Sequence, residues 1–156
     1  METRYCKGDN VKQHFPKWED LPELDLYLDQ VLLYVNQTTQ SLRQDSDKGL
    51  TASMINNYVK HGLVDKPIKK KYNRQQLARL IAITVFKPVF SIQEFSHAVE
   101  SLTKAHDSQS CYDAFVDCMN HDNPAKVPDL IHAACQTLEL YHHTYHLVNQ
   151  LEGGQS

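Results

Sequence analysis

Two adjacent asparagines, Asn56 and Asn57, followed by Lys60 and His61, form the densest polar group in an otherwise alternating stretch of this chain. A carboxamide carries a donor and an acceptor on one planar group, so it can bond the edge of an adenine in bidentate fashion or accept a place beside phosphate oxygens. Just downstream stand Lys66, Lys69, Lys70, Lys71 and Arg74. Ammonium groups on flexible stems suit backbone phosphates, and a guanidinium binds a phosphate through its planar fork. Thr51 and Ser53 add hydroxyls near a helix start, where free backbone N–H groups also favour an anion. The charge pattern sharpens this. Residues 51–87 hold eight Lys and Arg against the single acid Asp65, a net of +7, whereas residues 1–50 sum to −3 and residues 88–156 to −7. The chain's net charge of −3 therefore conceals a basic block within an acidic molecule. Local charge, not the total, decides what docks on a face.

These groups need a helix to carry them. Thr51 is the expected N-cap of a helix over 52–61, and Gly62 its stop. At 100° per residue, Ala52, Met54, Ile55, Tyr58 and Val59 share one arc. Ser53, Asn56, Asn57, Lys60 and His61 share the other, so Tyr58 belongs to the core. A helix this short cannot stand alone and needs neighbours against its apolar arc. Upstream, Asp20, Pro22 and Glu23 read as the start of a helix in which Leu24–Val35 is buried on more than one side. Downstream, Leu63 and Val64 fit a short strand or a core anchor, 65–67 a turn, and 68–72 an extended return, together a small lysine-bearing hairpin. Asn73 with Gln76 forms a capping box opening an apolar helix that Pro88 closes. Ser91 with Glu94 opens another, to about Leu102. Further helices are expected over 107–120 and from Pro128 to about Val148, the last with Leu130, Ile131, Ala134, Leu138, Tyr141, Tyr145 and Val148 on its apolar face. The first eighteen residues show no periodicity, with Phe15 and Trp18 as possible anchors.

Bulk properties exclude several classes. An apolar fraction of 41% fills a core, and no apolar run approaches the roughly 18 residues of a membrane helix. The absence of an apolar leader and of any C-x-x-C spacing among Cys6, Cys111, Cys118 and Cys135 points to free thiols in a cytoplasmic protein. No catalytic triad or glycine-rich phosphate loop is readable, so no enzyme and no cofactor are expected. On the last helix His132, Glu139, His143 and His146 share a polar arc. That arc fits a solvated surface better than a metal site, and no metal is expected. Cys111 and Cys118 lie two turns apart, about 10 Å, too far for a disulfide within one helix.

The stretch GLTASMINNYVKHGL, residues 49–63, resembles the second helix and following turn of MerR-like regulators. Gly49, Leu50 and Thr51 match the turn, Tyr58 a tyrosine, Gly62 and Leu63 a glycine-leucine pair. Lys70 and Tyr72 match the approach to the next helix, Leu77 and Leu80 its spaced leucines, and FSIQEF, residues 90–95, the start of the one after. LTASMINNYVKHGLV, KKKYNRQQLARLIAI and LDLYLDQVL resemble more closely an uncharacterised bacterial, Firmicutes-type family of MerR-like domains with a Met-Ile-Asn-Asn-Tyr core. That resemblance spans about residues 20–145. It implies a mainly α fold: a MerR-like winged helix-turn-helix over 20–103 with a small β wing, an irregular arm over 1–19, and a helical C-terminal extension over 104–150. It departs from MerR proteins at Asn56 and Asn57, which stand where an arginine and a tyrosine contact the DNA backbone, and at Lys70, which replaces a wing arginine. The expected function is a transcriptional regulator that binds double-stranded DNA. Helix 51–61 enters the major groove and the wing over 65–71 sits on phosphates. Thr51, Ser53, Asn56, Asn57, Lys60, His61, Lys66, Lys69, Lys70, Lys71 and Arg74 make the contacts, and the C-terminal helices form a homodimer. The alternative is a protein–protein interaction or dimerisation module that keeps the shape without binding DNA.

Overall fold

The structure, a computed structural model, describes residues 14–44, 46–122 and 126–153. It is mainly helical, with six α-helices and one small antiparallel sheet among the described residues. The helices are α1 (Leu28–Thr39), α2 (Ala52–Lys60), α3 (Arg74–Phe86), α4 (Ile92–Thr103), α5 (Ser108–Met119) and α6 (Asp129–Gly153). The strands are β1 (Leu26–Tyr27) and β2 (Lys71–Tyr72), paired Leu26 to Tyr72 and Tyr27 to Lys71. Among the described residues no helix is long and apolar enough to cross a membrane.

The element at the centre is α3. Leu77, Ala78, Leu80, Ile81, Ile83, Val85 and Phe86 are all buried. Ile83 and Phe86, off the main apolar stripe, are therefore covered by other neighbours. The Asn73–Gln76 capping box closes as expected, with Gln76 N–H on Asn73 Oδ1 at 3.0 Å and Asn73 N–H on Gln76 Oε1 at 2.6 Å. The Ser91–Glu94 box does the same for α4, at 3.1 and 2.8 Å. Hydrogen bonds from the Ser91 backbone and side chain hold the Glu94 carboxyl below its usual range. Asp107 caps α5 through Ser110 N–H, at 2.6 Å.

The first helix starts later than its sequence suggests. Residues 21–25 are irregular, Leu24 is 82% exposed, and Leu26–Tyr27 is drawn into the sheet. Gln30 Oε1 then accepts from Tyr27 N–H at 2.9 Å, so the cap falls at Tyr27 and not at Asp20. Only one side of α1 is deeply covered: Val31, Val35 and Thr39 are buried while Leu33 is 61% exposed.

The expected arm lies in part outside the described residues. Its remainder, from residue 14, is a strap across α5. Phe15 is fully buried, and its backbone exchanges two hydrogen bonds with the Asn120 carboxamide, at 2.8 and 3.0 Å. Tyr112 Oη donates to Pro16 C=O at 2.8 Å, Trp18 N–H to Asp113 Oδ1 at 2.9 Å, and Lys17 pairs with Asp117 at 3.0 Å. Phe15, Phe86 and Tyr112 each pack at an angle on the Phe115 ring, with centroids 5.3–6.0 Å apart. One apolar cluster thus runs from Phe15 to Leu138. The last helix contributes Ile131, Cys135 and Leu138, a narrower buried stripe than expected, since Leu130, Tyr145 and Val148 are exposed.

Asn36 fixes the turn between α1 and α2. Its Nδ2 donates to Leu50 C=O at 3.0 Å and its Oδ1 accepts from Leu50 N–H at 2.7 Å. Gly49 adopts φ +80°, and a side chain there would meet Asn36 Oδ1 and the Arg43 guanidinium. Arg43 Nη2 in turn donates to Asn36 C=O at 2.8 Å. Asn36→Ala strands both polar groups of the buried Leu50 and is expected to cost about 2–3 kcal/mol. Gly49→Ala adds left-handed strain to a steric conflict and should cost a similar amount, about 2 kcal/mol or more. Urea titration of the two variants checks both values.

Candidate nucleic-acid interface

The α2 helix is built as its sequence predicts. Thr51 Oγ1 accepts from Met54 N–H at 3.2 Å, and Gly62, at φ +76°, turns the chain at the other end. Ile55 and Tyr58 are buried, Met54 and Val59 half-buried. Thr51, Ser53, Asn56, Asn57, Lys60 and His61 are all exposed. Burial raises the Tyr58 phenol above its usual range, in keeping with a core role for that ring.

The segment after α2 differs from the expected hairpin. Leu63 and Val64 do not pair as a strand; both side chains are buried, which an alternating strand cannot arrange for neighbours on one sheet face. Their N–H groups instead reach back to Tyr58 C=O, at 2.9 and 3.4 Å. Two side chains of α3 then hold this segment from the other side. Arg79 Nη1 donates to Leu63 C=O at 2.9 Å, and Gln76 Nε2 to Asp65 and Lys66 C=O at 2.8 and 3.1 Å. Neither contact was evident from sequence. The signals available were a lone arginine inside an apolar helix and a capping glutamine with donors to spare.

The lysine-bearing turn is a two-residue hairpin loop. Ile68 and Lys71 exchange two backbone hydrogen bonds, each 3.0 Å, and the residues between them, Lys69 and Lys70, both have positive φ, 52° and 67°. A loop left-handed at both positions is the type favoured by Asn-Gly. Lysine there costs about 1 kcal/mol per residue relative to glycine. The return strand does not pair with Leu63–Val64 but with β1, upstream of α1. Lys71 lies in that pair, half-buried, with its ammonium 5.1 Å from the centre of the Tyr27 ring.

The basic block therefore divides by residue type. Arg74 is bonded to backbone carbonyls: Nε and Nη2 donate to Leu21 C=O at 3.2 and 3.0 Å, and Nη2 also lies 3.4 Å from Glu19 C=O. It is a strut for the N-terminal strap rather than a free fork. Arg79 is likewise engaged. Lys60, Lys66, Lys69 and Lys70 are exposed and form no ion pair among the described residues.

The other candidates lie apart from this surface. Glu139 sits 3.6 Å from His121, and among the described residues no three His, Cys, Asp or Glu side chains converge on a possible metal site. His142 is half-buried, and desolvation lowers its pKa below the usual histidine value. Cys118 on α5 and Cys135 on α6 interact, and burial raises both thiols. Cys111 is half-buried elsewhere.

The strained turn gives a direct test. Replacing Lys69 by Asn and Lys70 by Gly places the favoured pair at the two left-handed positions. The double variant is expected to gain about 1 kcal/mol, a rise of about 3 °C in melting temperature by calorimetry. A lower melting temperature would contradict the assigned turn geometry.

Neither curated proteins nor solved structures give a match to this chain. A family profile does match over residues 16–115, a span that takes in the strap, the sheet, α1 to α4 and most of α5. On that match the chain belongs to the family described as a domain of unknown function, DUF1836.

Proposed function

We propose that this protein is a sequence-specific DNA-binding transcriptional regulator of MerR-like winged helix-turn-helix design, acting in the bacterial cytoplasm. In this reading α2 enters the major groove and the 65–71 segment is the wing. The observation that carries it is the outward face of α2. Asn56, Asn57, Lys60 and His61 are all exposed, on a helix anchored from behind by Ile55 and Tyr58. The locked turn at Asn36 and Leu50 gives α1 and α2 a fixed relation, as groove reading requires. Lys66, Lys69 and Lys70 supply exposed positive charge, with Asp65 the one acid of the segment. The strain at Lys69 and Lys70 fits a site where charge at the loop tip outweighs backbone preference. The phosphate contacts accordingly fall to the lysines, with Arg74 in a supporting role.

Selection of bound fragments from genomic DNA by the purified protein, against a scrambled-DNA control, provides the ligand for the test. Asn57→Ala should erase sequence preference with only a modest loss of non-specific affinity. The Lys69→Asn, Lys70→Gly variant should bind every sequence more weakly and reduce the slope of log K against log salt by about 2. Because that variant is expected to melt higher, weaker binding could not be ascribed to unfolding. Absence of any selected sequence would favour the interaction-module reading.

A second copy of the chain is the proposed partner for the far half of α6. Leu140, Leu147 and Leu151 are 57%, 45% and 69% exposed, and with Thr144 they follow a three-four spacing along one side. That is the period of a seam covered by another helix. A two-fold dimer would present two α2 helices to successive turns of one DNA face, linking two weak half-site contacts. Leu147→Glu is expected to yield monomers by light scattering while the melting temperature of the body changes little, and to weaken DNA binding. A monomeric parent protein would refute this interface.

A further inference from the structure

A cavity of about 630 Å³ lies between α3, α4, α5 and the first turns of α6, away from the exposed face of α2. Its walls are chiefly apolar, formed by Phe86, Phe95, Leu102, Phe115 and Ile131 among others. Its size falls in the range of small-molecule sites. The α4 helix explains why the space is there. None of its residues is fully buried, although Phe95, Ala98, Val99 and Leu102 all turn toward the body and remain half-covered. An occupant would complete the packing of that helix.

Gln75, Glu94, His97, Ser101, Ser108 and Thr137 also line the cavity, and some polar groups there are engaged within the fold, as Thr137 is on Ala133 C=O. The Tyr112 hydroxyl is held by Pro16 C=O, and Glu94 caps α4 at Ser91. Burial keeps the Cys111 thiol protonated, so it offers no negative charge. Arg79 is different. It lines the cavity, its charge is disfavoured chiefly by desolvation, and its one hydrogen bond among the described residues runs from Nη1 to Leu63 C=O. No carboxylate stands within ion-pair distance of it among the described residues, and the charge of Asp65, farther off, offsets only part of that desolvation. The remaining donors of a guanidinium form a planar fork suited to a carboxylate.

We infer that this cavity binds a small apolar carboxylate, its hydrocarbon part among the aromatic walls and its head group on Arg79. The same guanidinium holds the Leu63 carbonyl, three residues past α2, so a carboxylate taken on its remaining donors draws on the group that anchors this turn. Occupancy therefore loosens the anchor at the C-terminal end of α2. The consequence for DNA rests on the function proposed above; the binding site itself does not.

Trp18, the only tryptophan of the chain, also lines the cavity and reports its occupancy. The 156-residue chain is titrated with decanoate and, as a neutral control, with decanol, following tryptophan fluorescence. Decanoate should saturate one site per chain and bind about tenfold more tightly than decanol, the difference of one charge-assisted pair. Arg79→Gln should reduce decanoate to the affinity of decanol, while Arg79→Lys keeps part of the preference. Ala98→Phe, which fills the cavity from α4 and leaves the Arg79 side chain unchanged, should abolish binding of both with the helical circular dichroism retained. Equal affinity for the two ligands in the parent protein would overturn the assignment, as would undiminished binding by the Ala98→Phe variant. Failure of decanoate to bind while Ala98→Phe alters the oligomeric state would assign the groove to another chain and overturn it equally. On DNA, saturating decanoate should weaken binding roughly fivefold or more. Saturated fluorescence with unchanged DNA affinity would overturn the coupling alone.

Discussion

Three polar side chains in the first two turns of α3 hold the irregular backbone on either side of that helix. Arg74 bonds carbonyls of the N-terminal strap, Gln76 those of Asp65 and Lys66, and Arg79 that of Leu63. A loop that passes over a core leaves carbonyls facing away from water, and each must find a donor. Here the donors come from the one helix that is buried almost all round. The consequence is that α2, the lysine turn and the strap are all positioned from a single rigid element. An apolar side chain in place of any of the three would leave carbonyls unsatisfied in segments far apart in sequence.

This arrangement also accounts for the separation of arginine from lysine in the basic block. A guanidinium keeps its charge when partly desolvated and offers several donors in a fixed plane, so it can bridge carbonyls and still serve another acceptor. An ammonium is more strongly hydrated and is better left in water. Lys60, Lys66, Lys69 and Lys70 accordingly occupy the exposed side of α2 and the turn, while Lys71 is half-buried over the Tyr27 ring. Two of them sit at left-handed positions that glycine or asparagine would fill more comfortably. On the proposed reading, charge at the tip would be the use that local backbone energy does not record.

Much of this was legible in the sequence, and the limits follow a physical pattern. Features set within a few residues were readable: the caps at Thr51, Asn73 and Ser91, the stop at Gly62, and the two faces of α2. These depend on local geometry, which spacing encodes. Features set by distant partners were not. The pairing of Leu26–Tyr27 with Lys71–Tyr72 joins residues far apart, and it displaced a cap that Asp20 and Pro22 advertise plausibly. The bonds of Asn36 to Leu50 and of Arg79 to Leu63 look, in sequence, like an ordinary polar residue at a helix end and an isolated charge in an apolar run. Arg74 was counted with the lysines for the same reason: charge is visible in a sequence, but the acceptor it has already found is not. Cys118 illustrates the point again, since its interaction with Cys135 on the next helix has no signature in their spacing.

The last helix carries two different apolar problems, and its length resolves them separately. Its first turns, with Ile131, Cys135 and Leu138, close the core and form one wall of the cavity. Its far half runs on past the body with leucines in water. A single α-helix rises about 1.5 Å per residue, so its 25 residues reach well beyond what the core needs. Burying Leu140, Leu147 and Leu151 against a second copy would not require the cavity, whose mouth lies nearer the start of the helix. On the proposed reading the two surfaces would act together: one would bring two chains onto a common axis, and the other would leave room for a ligand within each. A change at Arg79 reaches α2 through one hydrogen bond, inside one protomer, without passing through the dimer contact. Any response to a ligand would then be graded by how many protomers are loaded, rather than switched in concert through the seam.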